Sequence, residues 1–244
     1  AATPYGPVII GGKKGDDTTS IAKFDLSTTW TASPSTMMND ANISLDPVLE
    51  LSSGNSDPQH GSYFLNEYFA ITGNTSFVSS FKTIMKSKDG ITFCVQNDAR
   101  GASALGNKDN DMGYSDGGAL KITPSIALWM EAKTDDVDVC ENGAHADYSG
   151  AGYVDFQTDF YSGALGSTGA EKETWWWVVY DGQRNTLNVW VENETSGNVP
   201  PTGNPEIADW IIKDYPYDLT SLGTNAYFGF TGATNSSSCY HRVS

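Results

Sequence analysis

The densest collection of ligand atoms in this sequence runs from residue 131 to residue 148, Glu-Ala-Lys-Thr-Asp-Asp-Val-Asp-Val-Cys-Glu-Asn-Gly-Ala-His-Ala-Asp-Tyr. It comes after an apolar stretch, Ser125-Ile-Ala-Leu-Trp-Met, so a strand would pin one end of it. Oxygen donors at this density suit a hard cation such as calcium, which takes about 6 to 8 of them, although the spacing is not that of an EF-hand loop. A solvated acidic loop is the plainer reading of the same residues, and both stay open at this point. Paired carboxylates also serve glycoside hydrolysis, in which two acids flank the scissile bond. Strand-borne acids need a period of two to face one cleft, and the nearest candidate, Glu131-Ala-Lys-Thr-Asp135-Asp136, mixes faces if the strand continues, because Asp136 falls opposite to Glu131 and Asp135. Nucleophilic catalysis has less to draw on, because His60, His145 and His241 are the only histidines and stand far apart.

Two further stretches bring polar backbone close together. Lys88-Asp89-Gly90 precedes an apolar run and reads as a turn. The glycine-rich segment from Gly101 to Gly106, continuing through Asp111-Met-Gly113-Tyr114, would let backbone N–H groups approach a polar ligand, since glycine lacks a Cβ. A long surface connection is its default reading.

Charge and composition narrow the partners. Lys plus Arg is 14 against 30 for Asp plus Glu, a net charge of −16, which argues against nucleic acid because phosphate recognition needs clustered cations. A hydrophobic fraction of 39% supplies a core and argues against wholesale disorder. No run of about 18 apolar residues is present to form a membrane-spanning helix, so membrane insertion is not expected. The small residues Ala1-Ala2-Thr3-Pro4 resemble the new N-terminus that signal-peptidase cleavage leaves, and a secreted or cell-surface location is expected. Cys94, Cys140 and Cys239 are too scattered for a zinc site of the Cys-x-x-Cys kind. In an exported chain one disulfide plus one free thiol is expected, with three reduced core cysteines as the alternative. Sequons begin at Asn42, Asn74, Asn193 and Asn235 and matter only in a eukaryotic source.

The elements that must position these groups read as strands. Breakers are dense, with 25 Gly and 10 Pro, and between them lie short runs rich in aromatic and β-branched residues. The clearest are 61–65, 75–85, 90–96, 125–132, 152–160, 175–180 and 186–191. Several alternate apolar and polar residues, which puts one face on a core and leaves the other for solvent or a second sheet. Asp181-Gly182-Gln-Arg-Asn joins the last two runs as a hairpin turn. Helical pattern is scarce: one turn each is expected near Asp209-Trp210-Ile-Ile and at Leu219-Thr-Ser-Leu. No composition break divides residues 1–244, so a single all-β domain is expected, with residues 1–20 as an ordered extension or a loose tail.

Taken in order, these segments resemble the legume-type (L-type) lectin family, in the form found in microbial and other non-plant members. The specific string is Asp89-Gly90-Ile-Thr-Phe-Cys-Val-Gln-Asn-Asp-Ala-Arg100-Gly-Ala-Ser-Ala-Leu-Gly106. Met112-Gly113-Tyr114, the strand Ser125 to Glu131, the hairpin through Trp177 to Trp190, and Tyr227 to Thr234 with His241 come next in the family's order, so the resemblance covers roughly residues 25 to 244. It implies a concanavalin-like jelly-roll sandwich of two large antiparallel sheets that binds glycans or glycoproteins through loops at its concave face. Carried over by position, it assigns sugar contacts to the Asp89 carboxylate, the Gly113 N–H and Asp135, with Tyr114 in place of the usual stacking aromatic, whose position falls near Lys133. It assigns calcium to Glu131, Asp135 and Asp138, with His145 near the family's metal histidine. The family's metal strand carries Glu, an apolar residue and Asp where this chain has Trp129, Met130 and Glu131, so the transition-metal half of the usual pair is expected to be lost. The chain reads as a calcium-supported adhesion module excised from a longer protein, and not as an enzyme. A sandwich glycan hydrolase or lyase and a structural adhesin with a degenerate sugar site are the rival readings. A disulfide between Cys94 and Cys140 is expected to tie the strand after Asp89 to the acidic loop.

Overall fold

The computed structural model describes residues 8–13, 22–25, 35–39, 41–45, 48–53, 59–86, 88–115, 119–133, 136–144, 153–155, 171–193, 209–234 and 239–244. The first six strands along the chain are β1 (Val8–Lys13), β2 (Ala22–Asp25), β3 (Ser35–Asn39), β4 (Asn42–Leu45), β5 (Val48–Ser52) and β6 (Gln59–Leu65). A short β7 (Phe69–Ala70) precedes β8 (Thr75–Lys86), β9 (Gly90–Gln96), β10 (Ser125–Glu131), β11 (Asp136–Glu141) and β12 (Tyr153–Asp155). The last five are β13 (Lys172–Asp181), β14 (Thr186–Asn193), β15 (Asp209–Pro216), β16 (Asn225–Thr234) and β17 (Tyr240–Val243). Helix is confined, among the described residues, to short 3-10 turns, including Gly101–Ser103, Asp109–Asp111 and Leu219–Leu222, and none is long and apolar enough to cross a membrane.

These strands make two antiparallel sheets. The back sheet runs β15-β14-β13-β8-β17-β5-β4, with β1 on β8 and β2 on β1; the front sheet runs β12-β11-β10-β9-β16-β6-β3, with β7 on β16. The long β8 divides one edge between two partners, β1 along Thr75 to Ser80 and β17 along Thr83 to Lys86. Alternation supplies the core between the sheets. From the back come Phe77, Phe81 and Met85 of β8 with Trp176, Val178 and Tyr180 of β13; from the front come Ile91, Phe93 and Val95 of β9 with Phe228 and Phe230 of β16. Phe81 stacks on Phe93 across the sandwich at 5.4 Å between centroids, and Phe77 meets Phe228 edge to face at 4.9 Å.

The all-β sandwich and the β13–β14 hairpin agree with the sequence reading. Two segments differ. The turn of helix expected near Asp209 is strand β15, because the apolar residues there add to the edge of β14. The acidic stretch after Glu131 is not wholly a loop: residues 136–141 pair with β10 along its length. Residues 8–13, within the stretch expected as an ordered extension or a loose tail, form β1 and pair with β8.

A second apolar cluster lies on the other side of the front sheet. Phe64, Cys94, Ala127, Trp129 and Cys140 point away from the sandwich core and are covered by Ala104, Met112 and Tyr114 of the glycine-rich segment and by Ile122 beyond it. Both β9 and β10 are therefore buried on both faces. This geometry also overturns the expected disulfide. Cys94 and Cys140 are both opposite Ala127 in register, one on each side of β10, so two strand spacings of about 4.8 Å separate them. A disulfide tolerates a Cα separation of no more than about 7 Å. All three cysteines are buried thiols, and burial pushes Cys94 and Cys140 well above the usual thiol range. In the native protein, Cys94, Cys140 and Cys239 should resist a thiol reagent, all three reacting only after denaturation without reductant; a disulfide found by mass spectrometry would refute the assignment.

Candidate functional site

The chain crosses from the back sheet to the front sheet through residues 86–90, and Lys88 and Asp89 both take left-handed backbone angles, with φ of 53° and 52°. Aspartate accepts that conformation more readily than most residues. Gly90 comes next, where nothing larger fits: a Cβ there would lie 2.0 Å from the Met130 carbonyl oxygen. The same tight approach lets the Ala132 N–H donate to the Asp89 carbonyl at 2.7 Å. Gly90 is opposite Glu131 in register, and Glu131 is opposite Asp136. Asp136 and Asp138 share a face of β11, and Asp138 is opposite Trp129. The glycine-rich segment arrives from the other side. Thr92 and Thr231 face each other at 2.7 Å between hydroxyl oxygens, and the Thr231 hydroxyl donates to the Met112 carbonyl at 2.7 Å, which brings Gly113 over β16. The fold thus gathers Asp89, Gly113, Glu131 and Asp138 at one end of the front sheet.

Within that gathering the side chains are closed in. Asp89 is 0% exposed, Glu131 4% and Asp138 3%. The Gly113 N–H donates to the Asn107 carbonyl at 2.7 Å, so it is spent inside the loop. Tyr114 is a core residue: its hydroxyl contacts Ser125 Oγ at 2.8 Å, donates to the Cys140 carbonyl and accepts from the Gly143 N–H, and burial pushes its phenol well above the usual range. This corrects the expectation that Tyr114 offers a stacking surface, since its ring packs on Trp129 edge to face at 6.4 Å between centroids. Asp135 and His145 lie outside the described residues. Among the described residues no three acidic, histidine or cysteine side chains are gathered closely enough to hold an ion. The hard-oxygen donors fit calcium in kind, but Glu131 and Asp138 do not make a cage alone. At the position of the family's first metal acid, Trp129 is fully buried in the apolar cluster, which offers no donor set for a transition metal.

Three features of this region escaped the sequence reading. The first is a clamp. The Asp98 carboxylate accepts from the Arg100 N–H, Nε and Nη2 and from the Thr123 N–H, all within 3.0 Å, while the Arg100 guanidinium also donates to the carbonyls of Leu105, Leu120 and Lys121. Burial alone would raise the Asp98 carboxyl, but hydrogen bonds from Arg100 and Thr123 outweigh it and hold the group below the usual carboxylate range. Its Asp-x-Arg spacing within a loop was the available signal. The second is Gly113-Tyr-Ser115-Asp-Gly117, which has the spacing of a nucleophile elbow. Ser115 is buried with Oγ donating to the Gly143 carbonyl, and the next described residues, 119–124, are not helical, in contrast to the helix that follows such an elbow. The third is His241, whose Nδ1 lies 2.9 Å from Ser52 Oγ; burial drives it down to about 3, against a smaller opposing effect of the Lys88 backbone, so the ring is neutral.

No family model matches the sequence, and no curated protein matches it either. Solved structures do. A Griffonia simplicifolia lectin I-B4 in its metal-free form superposes with a TM-score of 0.67 at 14% identity, over 89% of this chain and 94% of that one. Arcelin-5, a lectin-like defense protein from Phaseolus vulgaris, gives 0.64 at 18%, over 88% and 92%. A Bauhinia forficata lectin in complex with GalNAc gives 0.63 at 14%, over 88% and 92%. The fold is that of the legume lectins.

The clamp makes a prediction of its own. Asp98→Ala leaves the Arg100 guanidinium without its charge-assisted acceptor and should destabilise the chain by about 2 to 3 kcal/mol in chemical denaturation. Because the folded carboxyl titrates below the unfolded value of about 3.9, the parent holds this stabilisation above that pH and loses it as pH falls further, so the gap between parent and variant should close in acid. A gap unchanged down to about pH 2 would show that the carboxylate charge is not what holds the loop.

Proposed function

We propose that the chain is a carbohydrate-binding, lectin-like domain, exported to the cell surface or exterior, whose sugar contacts are Asp89 and Gly113 at one end of the front sheet together with Asp135, which lies outside the described residues. The observation that carries the reading is the convergence of Asp89, Gly113 and Glu131, distant in sequence, at one end of the front sheet of a legume-lectin fold. Vicinal sugar hydroxyls present donors and acceptors together, and a carboxylate beside backbone N–H groups pairs with both. Binding needs no nucleophile, and the solved structures of like fold carry the names of lectins and a lectin-like protein. Calcium belongs to the proposal as an ion held by Glu131 and Asp138 together with Asp135 and His145; it would orient the acidic hairpin, and no binding step is assigned to it.

The burial of Asp89 and the spent Gly113 N–H favour a second reading, an adhesion or spacer domain whose sugar site is closed. A sugar reaches the buried Asp89 only in molecules that open locally, so apparent affinity is reduced to the extent that the open fraction is small. A glycan array with and without calcium separates the two readings. Under the lectin reading Asp89→Ala, compared with the parent at matching circular dichroism, should lose at least about tenfold in affinity for the best glycan, the worth of one charge-assisted hydrogen bond or more. Equal affinity of variant and parent would move the site elsewhere, and an array blank under both conditions would favour the closed scaffold.

Calcium is tested separately. At about 100 times its dissociation constant it should add about 2.7 kcal/mol to stability and raise the melting temperature, with no comparable effect of manganese. Coincident melting curves in calcium and in chelator, after elemental analysis excludes a retained ion, would remove calcium from the proposal.

A further inference from the structure

The run Trp175-Trp176-Trp177 is split between two environments because strand residues alternate faces. Trp176 is buried in the sandwich core with its Nε1 donating to Thr83 Oγ1 at 2.9 Å. Trp175 and Trp177 stand half-buried on the opposite, outer face of the back sheet, their rings 6.3 Å apart between centroids and 21° from parallel. Register sets Trp190 of β14 opposite Trp177, and Val179 opposite Val78 of β8, which is 38% exposed. Val189 and Val191 point into the core, so Trp190 between them points outward. The solvent face of an antiparallel sheet ordinarily carries polar side chains. This one carries an apolar stripe of three tryptophans and two valines, and nothing in the front-sheet site makes use of it.

We propose that the Trp175, Trp177 and Trp190 stripe is a second carbohydrate-binding surface, which stacks against the C–H faces of a neutral, extended oligosaccharide. Size speaks for a slender ligand. From Trp175 to Val179 the stripe is about 13 Å long, and from β8 to β14 about 10 Å wide, far below the roughly 800 Å² per partner of a stable protein interface. Charge selects a neutral one. Lys82, opposite Trp175, is held by Glu173 at 3.1 Å, so this rim cation is compensated, and a chain of net charge −16 repels polyanions and its own copies. Chemistry selects a sugar over a wholly apolar ligand. Tryptophan presents a broad apolar face, while Ser80 and the Lys82–Glu173 pair border the stripe with groups that hydrogen-bond to hydroxyls. The surface lies on the other side of the sandwich core from Asp89, so it stands or falls apart from the front-sheet site.

The test is a titration of the full chain with neutral β-linked hexasaccharides of glucose, N-acetylglucosamine, mannose and xylose, monitored by tryptophan emission. At least one should shift the emission, with affinity reduced about tenfold or more in a W175A/W177A variant of parental circular dichroism and unchanged in Asp89→Asn. W177A alone serves by the same criterion if the double variant does not fold. The proposal is overturned if no member of the panel shifts the emission, if binding persists in the tryptophan variant, or if Asp89→Asn alone abolishes it, which would instead credit the front-sheet site. It is equally overturned if sedimentation shows the parent dimeric and the tryptophan variant monomeric.

Discussion

Strands β9 and β10 are buried along their whole length on both faces, and most of the remaining architecture answers that constraint. One face joins the core between the sheets, as in any sandwich. The other carries Cys94, Ala127 and Trp129, which would be costly in water and need a cover. The cover is irregular chain, and irregular chain brings backbone groups that must find partners once water is excluded. Side chains supply them: Ser62 donates to the Ala104 carbonyl, Thr231 to Met112, Ser115 to Gly143, and Arg100 to three carbonyls at once. The glycine-rich segment is ordered because it roofs a second core.

The sandwich was legible because period-two alternation is a local signal. β8, β13 and the β13–β14 hairpin can be read from residue type and one Asp-Gly turn, and β9 and β10 from apolar runs between breakers. What could not be read is which strand lies beside which. Cys94 and Cys140 look like natural partners along the chain, yet β10 stands between them, and only sheet order reveals it. The residues at the site end were found through resemblance and by their chemistry, whereas their accessibility was hidden. Tyr114 in a glycine-rich loop looks exposed by sequence, but its position over Trp129 is a tertiary fact with no local signature. The same holds for Asp89: a turn residue by pattern is buried here because Gly90 lets the turn sink against Met130 and Ala132.

The exchange at position 129 ties these points together. In the resembled family an acid at this place supports a metal, and a metal holds nearby loops by charge. Here an indole fills the place and Tyr114 packs on it, so the same loop is held by apolar contact and by the Asp98–Arg100 clamp. Packing of that kind needs no ion to persist, and it also shuts the space a ligand ion or sugar would enter from that side. What polar capacity survives, Glu131 and Asp138, is itself buried along the β10–β11 pair. Order of the glycine-rich loop therefore rests on this packing and on the clamp, whether or not the proposed calcium binds at the β10–β11 hairpin.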